Sequence, residues 1–97
     1  MYVIVAEFAV KRETIDTFGR LIDRQAKESV DREIDCHQFD VCQDETDSSR
    51  FLLYEIYTDK VAFEKHRTLP NTSKFLEEAG SMILERTIRG FHRREAA

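Results

Sequence analysis

Glycine and proline are scarce in this chain, at three and one in 97 residues. That excludes collagen-like repeats and the Gly/Pro-rich composition of a disordered linker. Cysteine occurs only twice, too seldom for a disulfide-stapled scaffold. Both cysteines fall on one predicted strand, so at about 3.3 Å per residue the Cα atoms of Cys36 and Cys42 would stand roughly 20 Å apart. A disulfide spans at most about 7 Å, so the two are expected to be free thiols in a reducing compartment. Their spacing offers no turn that could fold ligands around zinc, and no metal site is expected. No apolar run approaches the length of a membrane span. The opening MYVIVAEFAV lacks the basic stretch and the small-residue cleavage site of a secretory signal. The expected location is therefore the cytoplasm, without a membrane partner. An excess of positive charge is also missing. The formal net charge of −4 and a pI near 5.4 argue against a general nucleic-acid or anionic-membrane binder.

What is present is a well-charged surface, 35% of residues, around 41% hydrophobic content. That suffices for one small core, so residues 1–97 read as a single domain. Tyr2 to Val10 alternates Tyr2, Ile4, Ala6, Phe8, Val10 against Val3, Val5, Glu7, Ala9. Both faces are apolar, the mark of a strand covered on both sides. Lys11 to Glu13 is a charged turn. From Thr14, apolar residues at Ile15, Phe18, Leu21, Ile22, Ala26 and Val30 keep the three-and-four spacing of an amphipathic helix, with Asp16 in its first turn. Gly19 weakens that helix and is expected to mark a close approach by a neighbouring element. The helix should fade within Asp31 to Asp35.

Cys36 to Gln43 alternates again, and DETDSS at Asp44 to Ser49 is a run of turn formers and charges that should close a hairpin. Phe51 to Tyr57 is the strongest strand. It sets Phe51, Leu53, Glu55 and Tyr57 on one face and Leu52, Tyr54 and Ile56 on the other. Asp59 is placed to cap a short helix carrying Ala62, Phe63 and His66. Pro70 breaks the helical run, Thr72, Phe75, Leu76 and Ala79 form a second stripe, and Gly80 should stop it. Met82 to Phe91 is the last expected strand, followed by a basic tail.

The order β-α-β-β-α-β, with its second helix broken, is the split arrangement of an α+β, ferredoxin-like fold. Its helices can cover one sheet face only. Because the first and third strands are apolar on both faces, a second copy packing face to face is expected, giving a homodimer.

Residues with chemistry gather in the stretch from Arg50 to Phe75. Glu55 stands alone among large apolar side chains, where burial would raise its pKa. His66 sits beside the apolar stripe of the following helix. A helix doubling back over the strand it has just left brings its second turn over Glu55. Glu55 and His66 are therefore the candidate catalytic pair, close enough to exchange a proton directly or through one water. Glu7, on the neighbouring first strand, could approach Glu55. Phe39, Tyr57, Phe75 and Met82 are the expected pocket walls for a small-molecule substrate. The last strand is rich in arginine, and Arg86 or Arg89 could receive an anionic group.

The run FDVCQDETDSSRFLLYEIYTDKVAFEKHRTLPNTSKF resembles the antibiotic biosynthesis monooxygenase family. Its marks are a Phe-Asp-Val strand, an acidic turn, an Arg-Phe start to the next strand, Tyr-Glu-x-Tyr, and Ala-Phe-x-x-His on a helix. The resemblance extends from Tyr2 to about Ile88, and it implies a dimeric α+β barrel. Activities in that family include oxygenation of quinols and polyketide aromatics without metal or flavin, and isomerisation of a phosphorylated dicarbonyl. The leading expectation is a monooxygenase, needing no cofactor, that oxidises a small quinol-like aromatic with molecular oxygen. The alternatives are an isomerase of a small phosphorylated hydroxy-dicarbonyl, which VCQDE and RFLLYEIY resemble most, and a dimeric ligand-binding module without activity. The chain departs from the pattern in three places. Ala26 stands where those isomerases carry a histidine. Glu33, Ile34, Asp35 and Cys36 replace Glu-Pro-Gly-Cys, without the glycine that eases a positive φ. The absence of tryptophan, with Leu76 where a haem ligand would fall, argues against haem degradation.

Overall fold

Residues 1–95 are described by a computed structural model. The chain runs through β1 (Tyr2–Val10), a 3-10 turn (Arg12–Thr14), α1 (Ile15–Arg32), β2 (Cys36–Gln43) and β3 (Arg50–Tyr57). It continues through α2 (Lys60–His66), α3 (Pro70–Ala79), a second 3-10 turn (Gly80–Met82) and β4 (Ile83–His92). The four strands form one antiparallel sheet in the order β2-β3-β1-β4. This is the ferredoxin-like α+β arrangement expected from the element order. Among the described residues no helix is long and apolar enough to cross a membrane.

Strand parity decides what faces the helices. β1 and β3 pair with Ile4 opposite Glu55, Ala6 opposite Leu53 and Phe8 opposite Phe51. Those residues form the inner face, and α1 closes over them with Phe18 wholly buried. Its ring lies 4.9 Å from Phe51, 5.7 Å from Phe8 and 5.9 Å from Phe75, centroid to centroid. Such a contact set makes Phe18 the hub of the core, where truncation to Ala would cost about 3–5 kcal/mol.

The buried stripe of α1 is Phe18, Ile22, Gln25, Ala26 and Ser29, while Val30 is exposed. Successive steps of four, three and four residues carry the inner line from 18 to 29, and Val30 falls a further 100° round the helix. Gly19 has nothing within 4 Å of where a Cβ would stand. The expected close approach occurs instead at Gly90 on β4, over which the Tyr2 hydroxyl lies.

Asp59 caps α2 as expected, accepting from the Ala62 backbone N–H at 2.8 Å. α2 ends at His66 and Pro70 begins α3 at its first turn, where a missing N–H is no loss. Gly80 ends α3 with φ −54°, in the right-handed region, and passes into a 3-10 turn, so its freedom to adopt positive φ is not used. Neither is any needed between α1 and β2: no described residue has positive φ, and the Cys36 N–H closes that turn on the Glu33 carbonyl at 3.0 Å. The chain therefore tolerates Ile34 and Asp35 there.

Candidate active site

Between the inner sheet face and the three helices lies a cavity of about 210 Å³. Its floor includes Ile4, Ala6, Leu53 and Glu55, and Phe39 and Phe75 stand in its walls. Arg67, in the break between α2 and α3, also lines it, and Arg86 and Ile88 reach it from β4. His66, Gln25 and Thr72 supply the remaining polar lining.

Glu55 is 4% exposed. It accepts a hydrogen bond from the Tyr57 hydroxyl at 2.6 Å. Burial pushes its carboxyl up to about 7, against the opposing pull of the Tyr57 hydrogen bond and of His66. A carboxyl poised there can carry a proton at neutral pH and release it. Tyr57 has its own ionisation driven far upward by burial and by the Glu55 charge beside it, so it acts as a fixed donor.

His66 closes the last turn of α2 and is 5% exposed. Its Nδ1 lies 2.9 and 3.1 Å from the two carboxylate oxygens of Glu33. Its ring packs against Tyr57 at 5.3 Å and against Phe39 and Phe63 at 6.2 Å each. On the far wall, Gln25 donates to Thr72 Oγ1 at 2.9 Å and accepts from Asn71 at 3.2 Å. That chain ties α1 to the start of α3.

The structure thus brings Glu55, His66, Phe39, Phe75 and Arg86 to one cavity. Glu55 and His66 line the cavity together, while their side-chain hydrogen bonds go to other partners, Glu55 to Tyr57 and His66 to Glu33. Tyr57 is completely buried beneath the site and holds Glu55 instead of forming a wall. Met82 lies in the turn before β4 and packs on the core, outside the cavity lining. Glu7 is exposed on the outer sheet face opposite Leu52, so it cannot share a site with Glu55, whose partner is Ile4. Arg89, opposite Val5, also faces outward, with its guanidinium 4.9 Å from the Phe91 ring.

Sequence reasoning did not find Glu33, Gln25, Thr72 or Arg67. Glu33 looked like part of a fading polar helix end. Gln25 carries a readable signal, as a polar residue three positions beyond Ile22 inside an apolar stripe. Ala26 packs in the core, and the α1 side chain that reaches the cavity at that turn is Gln25. Among the described residues no cluster of three or more His, Cys, Asp or Glu side chains could hold a metal ion.

An isomerase of Photorhabdus laumondii that acts on (4S)-4-hydroxy-5-phosphonooxypentane-2,3-dione is 32% identical over 85 residues, covering 88% of this chain and 85% of the relative. The Escherichia coli O9:H4 enzyme of the same name is 35% identical over 83 residues, covering 86% of this chain and 85% of its own. A Nitrosomonas europaea structure assigned as an antibiotic biosynthesis monooxygenase superposes with a TM-score of 0.90 at 23% identity, over 96% of this chain and 98% of the other. A conserved protein of Methanosarcina mazei superposes with a TM-score of 0.88 at 18% identity, over 96% and 92% of the two chains, and shares the fold. Residues 1–93 match the profile of one family, and a solved structure assigned to it superposes on nearly the whole chain: the chain belongs to the antibiotic biosynthesis monooxygenase family.

Proposed function

We propose that this protein is an acid–base isomerase of a small phosphorylated hydroxy-dicarbonyl. The observation that carries the reading is that two proton-transfer groups with separate partners, Glu55 on Tyr57 and His66 on Glu33, line one cavity. An α-hydroxyketone isomerises when a base removes the carbon-bound proton beside the carbonyl. The resulting enediolate then takes a proton on the neighbouring carbon, and the hydroxyl proton passes to the former carbonyl oxygen. No electrons leave the substrate. His66 serves as the base at carbon, and Glu55, neutral below about 7, protonates and deprotonates the oxygens.

Size and charge support this over a larger aromatic. Pockets for drug-sized ligands run about 300–1,000 Å³, so about 210 Å³ suits a short-chain metabolite. Arg67 and Arg86, both exposed and both in the cavity lining, offer guanidinium groups to a phosphate that stays near solvent. Relatives at 32–35% identity bear the name of such an isomerase. The quinol monooxygenase reading is favoured by the aromatic walls, Phe39, Phe63 and Phe75, and remains the second. For the dimeric ligand-binding or interaction module without activity, the expected sign is a pocket filled by side chains beside His66, and the open volume there does not give that sign.

We further propose that the working unit is a homodimer built on the outer sheet face. Val3 and Ile56 are buried there and Val5, Leu52 and Tyr54 half-buried, on a face with no helix over it.

The test is proton NMR of the phosphorylated hydroxy-dicarbonyl in deuterated buffer with the purified protein. The expected result is catalysed deuterium incorporation and isomer formation, reduced about 100-fold or more in kcat/KM by Glu55→Gln and by His66→Gln. Oxygen uptake with a quinol, and no exchange with the dicarbonyl, would transfer the assignment to the monooxygenase reading.

A further inference from the structure

The His66 ring makes its hydrogen bonds through Nδ1, and both go to Glu33. The two side chains are 7% and 11% exposed, so bulk water scarcely competes for either. Glu33 stands where α1 ends. Its N–H still closes on the Ser29 carbonyl, but its backbone has turned to φ −102° and ψ 108°, leaving the helix. The carboxylate thereby spans from the end of α1 to the end of α2. Three aromatic rings, Tyr57, Phe39 and Phe63, pack on the imidazole and oppose a ring flip that would exchange its two nitrogens. A carboxylate can only accept a hydrogen bond, so the nitrogen facing it is the protonated one, and the other keeps a free lone pair.

We propose that Glu33 is the positioning residue of this site: it holds His66 with the proton on Nδ1, so that all proton exchange with a bound substrate takes place at Nε2. When Nε2 takes a proton from substrate carbon, the ring becomes an imidazolium whose positive charge faces the Glu33 carboxylate at hydrogen-bond distance. When Nε2 returns the proton, the ring relaxes to the same neutral tautomer, and the Nδ1–H bond never breaks. Glu33 touches no substrate and changes no bond. It fixes which nitrogen works and favours the charged intermediate state of the ring. The kinetic consequence rests on the isomerase reading, whereas the tautomer is a property of the free protein.

The experiment is nitrogen-15 NMR of histidine-labelled protein, with the His66 signals assigned by their loss in His66→Gln. At a pH where the ring is neutral, wild type is expected to show Nδ1 protonated and Nε2 bare. Glu33→Gln is close to isosteric but can donate through its amide. It should admit the Nε2-protonated tautomer and lower kcat about 100-fold or more, with KM changed less than about threefold. Glu33→Asp, which remains an acceptor only, should recover part of that loss. A wild-type His66 protonated at Nε2 in its neutral form overturns the proposal, even if Glu33→Gln does not fold. So does a folded Glu33→Gln protein that keeps both the tautomer and kcat. An inactive wild type that still shows the Nδ1-protonated ring would refute the isomerase reading and leave this assignment standing.

Discussion

Tyr57 donates its hydroxyl hydrogen to Glu55 Oε1 at 2.6 Å, from two positions further along β3 and the same face of the sheet. The bond gives a buried carboxyl its hydrogen-bonding partner, yet burial still dominates and pushes Glu55 from 4.5 up to about 7. The folded chain therefore binds this proton more tightly than the unfolded one. The stabilisation that the neutral carboxyl permits is complete below the unfolded value and is lost as pH rises through the folded one. Acting alone, the group would lower stability by about 3 kcal/mol across that window. Glu55→Gln keeps the acceptor for Tyr57 and cannot ionise. Compared with wild type in urea unfolding, it should be of similar stability near about pH 4 and clearly more stable near about pH 8. A difference between the two proteins that does not change with pH would contradict the assignment.

Cys36 is buried at the start of β2, and burial, reinforced by the charges of Glu33 and Glu55, pushes its thiol up to about 12. Cys42 on the same strand is exposed. Since the thiolate is the reactive species, a thiol reagent near about pH 8 should label Cys42 and leave Cys36 untouched until the chain unfolds. Mass spectrometry of the labelled peptides reads this directly. Cys36 reacting in the folded protein as fast as Cys42 would show that its surroundings open readily.

Strand alternation made much of the fold legible: the split faces of β1 and β3, the DETDSS hairpin and the Asp59 cap all follow from local chemistry. The pairing of faces did not follow. Glu7 and Glu55 each sit on a readable face of their own strand, but only the ladder register, with Ile4 opposite Glu55, decides that those faces are opposite. The site was half legible for a similar reason. His66 and Glu55 stand out as polar residues in apolar settings. Glu33 stands out nowhere in the sequence, because what distinguishes it is a contact with His66 across 33 positions.

Tyr54, Leu52 and Val5 lie half-buried on the outer face of the central strands, where β3 and β1 pair Tyr54 with Val5. If that face is the dimer interface, placing charges at its centre should separate the copies without unfolding either. Leu52→Lys with Tyr54→Lys is expected to turn a dimer into a monomer at micromolar concentration, with unchanged circular dichroism, because two unpaired charges would be desolvated in the contact. Sedimentation velocity distinguishes the outcomes. A wild-type monomer, or a double variant still dimeric, would place the interface elsewhere.

Gly90 sits opposite Ile4 in the β1–β4 ladder, and the side chain of Tyr2 crosses above it, 5.3 Å from the His92 ring and 6.1 Å from Phe63. The glycine is required by space and not by backbone, since no described glycine has positive φ. A Cβ at this position would overlap the Tyr2 hydroxyl and stand 2.7 Å from Cζ. Gly90→Ala is therefore expected to destabilise by about 1–3 kcal/mol, as overpacking does. Tyr2→Phe removes the nearest atom but leaves the ring carbon, so in a double-mutant cycle it should relieve part of the cost, not all. Gly19→Ala is the internal contrast. Nothing lies within 4 Å of that Cβ, and the position is interior to α1, so the substitution should stabilise by up to about 1 kcal/mol. If the Gly90→Ala and Tyr2→Phe effects simply add, the tyrosine does not occupy the space above Gly90 in solution.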